Sequence, residues 1–339
     1  MSVKRDAMVK RRAVSIVAVT GLCLSSVVAL SSAGAAQSST HDASGAKAAT
    51  AKGSRASAAP LPTPKAVRPF QGPALAGEGV WHSGGRLVGG RAAVYTTTVR
   101  LPGSSSIEAG IAWMDTRLLQ AKLYSGSLSP GGLFWKYSAP ISPNASKTLV
   151  AAFNGGFLMK DSKGGYFSEG HTVAPLRAGA ASLVIYRDGF ATVGQWGRDV
   201  AMTPNVVAAR QNLTLLVDHG RIVPGLNPGD ISVWGVALNG VVNTPRSGLG
   251  VTANGALVYV SGPMNIIDLA QILVRAGAVR AMALDMNPFW PVFATFSPSS
   301  VNGLASPSNG RDLLTTMYQP PGRFYEAAYN RDFITMSTK

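Results

Sequence analysis

Short apolar runs, each cut off within about ten residues by a turn carrying Gly, Pro, Asn or Asp, recur along this chain from residue 92 onward. Such spacing leaves little room for long helices and requires most of the backbone to pair between strands. Residues 248–251 and 256–260 flank Ala253-Asn254-Gly255, the strongest hairpin signal in the sequence. Residues 182–186 and 190–193 flank Arg187-Asp188-Gly189, and residues 213–217 and 221–223 flank Asp218-His219-Gly220. Residues 92–101 are β-branched and Thr-rich and stop at Pro102-Gly103, while 107–114 and 118–124 predict a further hairpin around Asp115-Thr116-Arg117. With 38 Gly, 21 Pro and only 14% charged residues, the chain is also short of helix formers.

One helix is predicted. Ile266, Leu269, Ala270 and Leu273 fall at helical spacing, Asn265 can cap, Asp268 lies three residues on, and Gly277 ends the pattern. A strand-like run over 279–284 follows and delivers Asp285. The tail after Ser297 reads as loop-rich, with one short helix expected near 313–317. The expected fold class is α+β: a strand-rich mixed sheet with many hairpins and few helices, forming one domain over 75–339.

The start of the chain reads differently. Lys4, Arg5, Lys10, Arg11 and Arg12 make a positive region, an uncharged stretch runs from Ala13 to about Leu30, and Ala33-Gly34-Ala35 offers a signal-peptidase pattern. Residues 1–36 are therefore expected to be an export signal, contacting the membrane transiently, with a retained N-terminal anchor as the alternative. Residues 37–74 are Ala/Ser/Pro-rich and are expected to form a disordered linker. The expected location is secreted or extracytoplasmic and envelope-associated. Residues 1–69 carry over half of the formal charge of +15, so the remainder is only mildly basic and no nucleic-acid partner is expected. The single cysteine, Cys23, lies in the signal segment, which removes disulfide and thiol chemistry from the mature chain.

The sequence has no Walker A loop, dinucleotide fingerprint, zinc-protease helix or nucleophile elbow, and its four histidines are scattered. What remains is polar residues at strand ends, where a rigid sheet can aim them. Asn154 follows the apolar run 149–153, and Gly155-Gly156 let backbone N–H groups approach a ligand, unless this is a plain Asn-Gly turn. Arg246 precedes a strand, and its planar fork suits phosphate, unless it is a surface Arg capping that strand. Asp285 ends a fully apolar run, where a carboxylate is costly unless paired, bound to a cation or catalytic. Asn287 and Trp290 supply an amide and an aromatic wall, unless Trp290 is simply core.

Taken in order, Asn154–Phe157, the Pro245-Arg246-Ser247 strand with its Asn254-Gly255 hairpin, and the helix and strand ending at Leu284-Asp285 resemble the phosphodiester glycosidase family. Arg210-Gln211-Asn212-Leu213 also fits that family's middle section. The family usually continues Leu-Asp-Gly-Gly-Gly-Ser, whereas this chain reads Leu284-Asp285-Met286-Asn287-Pro288. The resemblance implies a sugar-phosphate hydrolysis; with the expected export signal, the reading is an exported hydrolase that cleaves a sugar from a phosphodiester-linked glycan or glycoconjugate of the cell envelope. A non-catalytic module binding wall glycan or phosphate on the same fold is the alternative. In the hydrolase reading Arg246 binds phosphate, while Asp285 is nucleophile, general base or cation ligand. Glu169 is the candidate partner carboxylate, unless it is a solvated loop residue, and Asn154 and Asn212 orient sugar hydroxyls. The sequence points to no definite cofactor; a divalent cation such as calcium, with Asp285 as ligand, is the one candidate.

Overall fold

The computed structural model describes residues 59–132, 135–235, 243–300 and 302–339. The expected signal segment and the linker up to residue 58 lie outside the described residues. Among those described, no helix is long and apolar enough to cross a membrane.

β1 (His82–Gly84), β2 (Val94–Arg100) and β3 (Glu108–Met114) open an antiparallel sheet. The chain then changes sheets. β4 (Leu119–Tyr124) pairs with the C-terminal strand rather than with β3, so the hairpin expected around Asp115-Thr116-Arg117 is a crossing. Asp115 explains it: Oδ1 accepts from Arg117 N and Oδ2 from Leu61 N, each at 2.8 Å, which turns the chain without closing a hairpin. A single turn, α1 (Pro143–Ser146), capped by Ser142, leads into β5 (Leu149–Asn154), all six residues of which are buried.

β6 (Tyr166–Ser168), β7 (His171–Ala174), β8 (Ala181–Tyr186), β9 (Ala191–Gln195) and β10 (Val206–Gln211) form a second sheet, ordered β7-β6-β10-β8-β9. β11 (Leu215–Asp218) and β12 (Arg221–Ile222) close on His219 and Gly220, at φ 48° and 72°, the left-handed pair that such a two-residue turn demands. After the turn α2 (Ile231–Trp234) come β13 (Thr244–Thr252) and β14 (Leu257–Met264), the Asn-Gly hairpin, with Gly248 opposite Val260. α3 (Ile266–Arg275) is the helix expected: Asn265 Oδ1 accepts from Ile267 N and Asp268 N at 2.9 Å, and Gly277 terminates it at φ 92°. It carries the chain over β13 to β15 (Ala278–Ala283), which pairs antiparallel to β13. Ile266, Leu269, Ile272 and Leu273 are buried against that sheet.

The tail holds β16 (Phe293–Phe296), β17 (Gly310–Asp312) and β18 (Phe333–Thr338). The helix expected at 313–317 is absent; Leu313 N donates to Phe293 O at 3.0 Å and Met317 Sδ accepts from Phe293 N, which ties this stretch to a strand. The helical turns lie instead at Pro307–Asn309 and Pro321–Tyr325. The large sheet is ordered β1-β2-β3-β14-β13-β15-β11-β12 and the third β17-β16-β5-β18-β4. Parallel pairing occurs at isolated bridges such as Ser125–Ser138, while the strand ladders are antiparallel.

Residues 59–74, expected to belong to the linker, instead pack on the domain. Leu61 and Val67 are buried, and Val67 N donates to Gly79 O at 2.9 Å. Arg275 stacks over Phe70, its Cζ 3.8 Å from the ring centroid, and Arg100 Nη2 donates to Gln71 O and Pro73 O. Two well-spaced apolar residues and an aromatic are enough to fasten a stretch whose composition reads as spacer.

Candidate active site

Three strand ends and the body of a fourth strand meet at one place. Asn154 ends β5, Ser247 lies in β13, Asp285 follows β15, and Arg331-Asp332 precede β18. Asn154 is buried and its amide is fully used. Nδ2 donates to Ser247 Oγ (2.9 Å) and Gly155 O (2.8 Å), and Oδ1 accepts from Tyr259 Oη (2.8 Å) and Val292 N (3.1 Å). Ser247 completes the link: its Oγ accepts from Asp285 N at 3.2 Å, and Ser247 N donates to Asp285 O at 2.7 Å. Asn212, also buried, accepts from Phe157 N at 3.1 Å and donates to Ala283 O and Leu284 O. Both asparagines therefore position Asp285 and the glycine loop instead of offering themselves to sugar hydroxyls.

The charges are two buried pairs. Arg331 Nη2 donates to Asp285 Oδ2 and, at 3.0 Å, to Gly156 O. Arg210 Nε donates to Asp332 Oδ2 at 2.7 Å, and its Nη1 to Gln211 O at 2.6 Å. Gly155 and Gly156 are needed for this packing. A Cβ on Gly155 would lie 2.2 Å from Asp332 Oδ2, and one on Gly156 would lie 3.0 Å from Arg210 Cζ. The backbone approach read from these glycines is thus to the protein's own charged groups. Burial pushes the Asp285 carboxyl up to about 6, against the opposing pull of Arg331 and of the Asn287 N–H at 2.8 Å.

Asp285 and Arg331 line a cleft of about 460 Å³, together with Asp161, Lys160, Lys163 and Asn287. Arg246, expected in the same cleft, is one layer behind it. As the neighbour of Ser247 along β13 it points to the other face, donating to Met264 O (3.1 Å), with Nη1 3.7 Å from Met286 Sδ. Met286 itself lines the cleft. Arg246 forms no ion pair among the described residues, and burial pulls its guanidinium down to about 10. Glu169 is not brought to Asp285 as a partner carboxylate. It sits in the turn between β6 and β7, and its two oxygens accept from Lys136 N and Tyr137 N, each at 2.8 Å. Trp290 is neither wall nor plain core: it packs edge-on to Tyr329, with Arg331 Cζ 4.9 Å from its ring centroid, and so supports Arg331. Asn287 is exposed on the rim, its Oδ1 accepting from Phe289 N.

Arg331, Asp332 and Asp161 escaped the sequence reading. For the first two a signal existed, because Arg331-Asp332 abut the apolar run of β18 as Asp285 abuts β15. Asp161 sits in a polar loop, Met159-Lys160-Asp161-Ser162-Lys163, that reads as solvated. The donor set does not suit the divalent cation considered for Asp285. Both its oxygens are engaged, three cationic side chains share the cleft, and no cluster of three metal-ligating side chains occurs among the described residues.

No curated protein matches the chain. Among solved structures, the catalytic domain of zebrafish N-acetylglucosamine-1-phosphodiester alpha-N-acetylglucosaminidase, auto-inhibited by its pro-peptide, is similar at 15% identity, covering 76% of this chain and 88% of that one, with a TM-score of 0.47. A hypothetical protein from Synechocystis is similar at 14% identity, covering 74% of this chain and 63% of its own, with a TM-score of 0.40. The phosphodiester glycosidase family model matches residues 147–285, a span that opens just ahead of β5 and closes on Asp285 itself. Over that span the chain carries a phosphodiester glycosidase domain, a glycosidase-type hydrolase unit.

Proposed function

We propose that the protein is an exported hydrolase that cleaves a sugar from a phosphodiester-linked glycan or glycoconjugate of the cell envelope. The observation that carries this reading is Asp285, a deep carboxylate with a raised pKa in a cleft whose other charged lining is Arg331, Lys160, Lys163 and Asp161. The cations draw a phosphate into the cleft, and the carboxylate faces the adjoining sugar.

In the reaction the bond from the anomeric carbon to the phosphate oxygen breaks, and its electron pair leaves with the phosphomonoester. A phosphomonoester is a good leaving group, so positive charge around it matters more than a proton donor. Asp285 in its charged form either adds to the anomeric carbon or takes a proton from the water that does. Arg331 holds it in place and favours its charge, while Asn154, Ser247 and Asn212 fix the backbone on either side. The purified protein, incubated with a sugar 1-phosphodiester, should release free sugar and a phosphomonoester. The anomer released first distinguishes direct attack by water from attack by Asp285. Binding of phosphate-bearing glycan with no turnover under any condition would establish the non-catalytic module instead.

A further inference from the structure

A second hollow, of about 430 Å³, shares no lining residue with the cleft at Asp285. Three lysines converge on it: Lys122 from the edge strand β4, Lys136 from the loop that follows, and Lys147 from the end of α1. Lys122 Nζ and Lys136 Nζ lie 4.9 and 5.5 Å from the centroid of the Tyr137 ring. No aspartate or glutamate lines the hollow, and none of the three lysines forms an ion pair among the described residues. Tyr124, also in the lining, is pushed up to about 12 by burial and by Tyr137, so it adds no negative charge.

Like charges gathered in one concavity repel, and each ammonium brings three donors and no acceptor. The arrangement is held in place. Glu169 accepts from Lys136 N and Tyr137 N at 2.8 Å, fastening the loop at two of its lining residues to the turn between β6 and β7. The volume exceeds that of a bare phosphate, and Ser138, Ser142 and Asn144 supply hydroxyl and amide groups of the kind that meet sugar hydroxyls.

We propose that this hollow is a second anion site, which takes a phosphate group and adjoining sugar of a phosphate-bearing glycan. The inference rests on the proposed function for the class of ligand, and not on turnover. A polymer held here stays on the enzyme while the cleft at Asp285 acts on it or on a neighbouring chain.

The test is titration calorimetry of the full-length protein, in an Asp285→Asn background that prevents hydrolysis. The probe is a synthetic trisaccharide joined through phosphodiesters, with the same sugars joined without phosphate as the neutral comparison. Lys122→Gln/Lys136→Gln/Lys147→Gln should lose at least tenfold in affinity for the phosphodiester probe and leave the neutral one unchanged. Arg91→Gln/Arg221→Gln/Arg311→Gln removes the same charge from exposed positions elsewhere and should stay within about twofold. Lys136→Gln alone, at an exposed position, should show a smaller loss in the same direction and guards against a folding defect in the triple variant. Equal losses in both triple variants, or none in the first, overturn the site. Absence of hydrolysis by the wild type would sink the proposed reaction and leave this comparison standing.

Discussion

Arg331 reaches back 46 residues to donate to Asp285, and with the same nitrogen it holds Gly156 O at 3.0 Å. One guanidinium edge thus joins the last loop of the chain to the glycine loop after β5 and to the strand end that floors the cleft. Trp290 lies against the face of that guanidinium, and Arg331 Nε is buried without a hydrogen-bond partner among the described residues. The family-model match stops at Asp285, so the group that pairs with the site carboxylate comes from outside the matched span.

Removing Arg331 should cost more than removing the pair. Arg331→Met leaves Asp285 buried without its counter-charge and should lose about 3–5 kcal/mol of stability, whereas Arg331→Met combined with Asp285→Asn should recover a large part of it. Urea unfolding of the four members of this cycle measures the coupling. Additive losses would mean that the two side chains do not depend on each other.

The pH dependence follows from the direction of the Asp285 shift. Its carboxyl is raised from the usual value of 3.8 to about 6, so the folded state holds the proton more tightly than the unfolded chain does. The associated stability is fully present below about pH 4 and is lost as pH rises through about 6, so over that window the wild type should weaken relative to Asp285→Asn. Activity runs the other way. The reaction needs the charged form, so kcat/KM should climb with an acid limb near pH 6. Arg331→Gln, which removes the group opposing the shift, should move that limb to higher pH. A limb near pH 4 in both proteins would remove Asp285 from the role of base or nucleophile.

The elements legible in sequence were those whose signals are local. The hairpins at Asp188-Gly189, His219-Gly220 and Asn254-Gly255 and the capped helix α3 formed where their turn and cap residues stood. Asp285 stood out because a carboxylate ending an apolar strand needs an explanation, and the structure supplies a cleft and a guanidinium. What could not be read was direction and distance. Arg246 and Ser247 are neighbours in sequence, yet pleating sends them to opposite faces, and only Ser247 reaches Asn154 and Asp285. The partner of Asp285 lies in another strand's approach, and sheet pairing over such separation leaves no trace in local spacing. Asp115 misled for a related reason: a turn signal says that the chain turns, not which sheet the next strand joins.

The glycine pair after β5 makes a separate prediction. Because a Cβ at Gly155 would fall 2.2 Å from Asp332 Oδ2, Gly155→Ala must push Asp332 away from Arg210. It should destabilise the protein by roughly 3–5 kcal/mol, the range for breaking a buried pair. Asp332→Asn in the Gly155→Ala background should add less than it does in the wild type, since the pair is already disturbed. A Gly155→Ala protein as stable as wild type would show that the loop can shift and that the packing against Asp332 does not require glycine.

Met286 stands where the resembled family usually has glycine, between Arg246 and the open cleft. Its sulfur is 3.7 Å from Arg246 Nη1, and burial holds that guanidinium down to about 10. Met286→Ala should open a path through which Arg246 meets phosphate directly. A charge-assisted hydrogen bond contributes about 1.5–3 kcal/mol, which corresponds to roughly tenfold or more in affinity. Inorganic pyrophosphate, titrated as a competitive ligand of the cleft, should therefore bind at least tenfold more tightly to Met286→Ala than to wild type. The gain should vanish in Met286→Ala/Arg246→Gln, which retains the opened space and lacks the charge. The substitution also removes buried thioether volume, so a loss of about 2–5 kcal/mol in stability is expected, and the titration belongs well below the melting temperature. If both variants gain equally, the added room alone is responsible; if neither gains, Met286 does not separate Arg246 from the ligand. Either result would confine phosphate recognition to Arg331, Lys160 and Lys163 on the cleft's own wall.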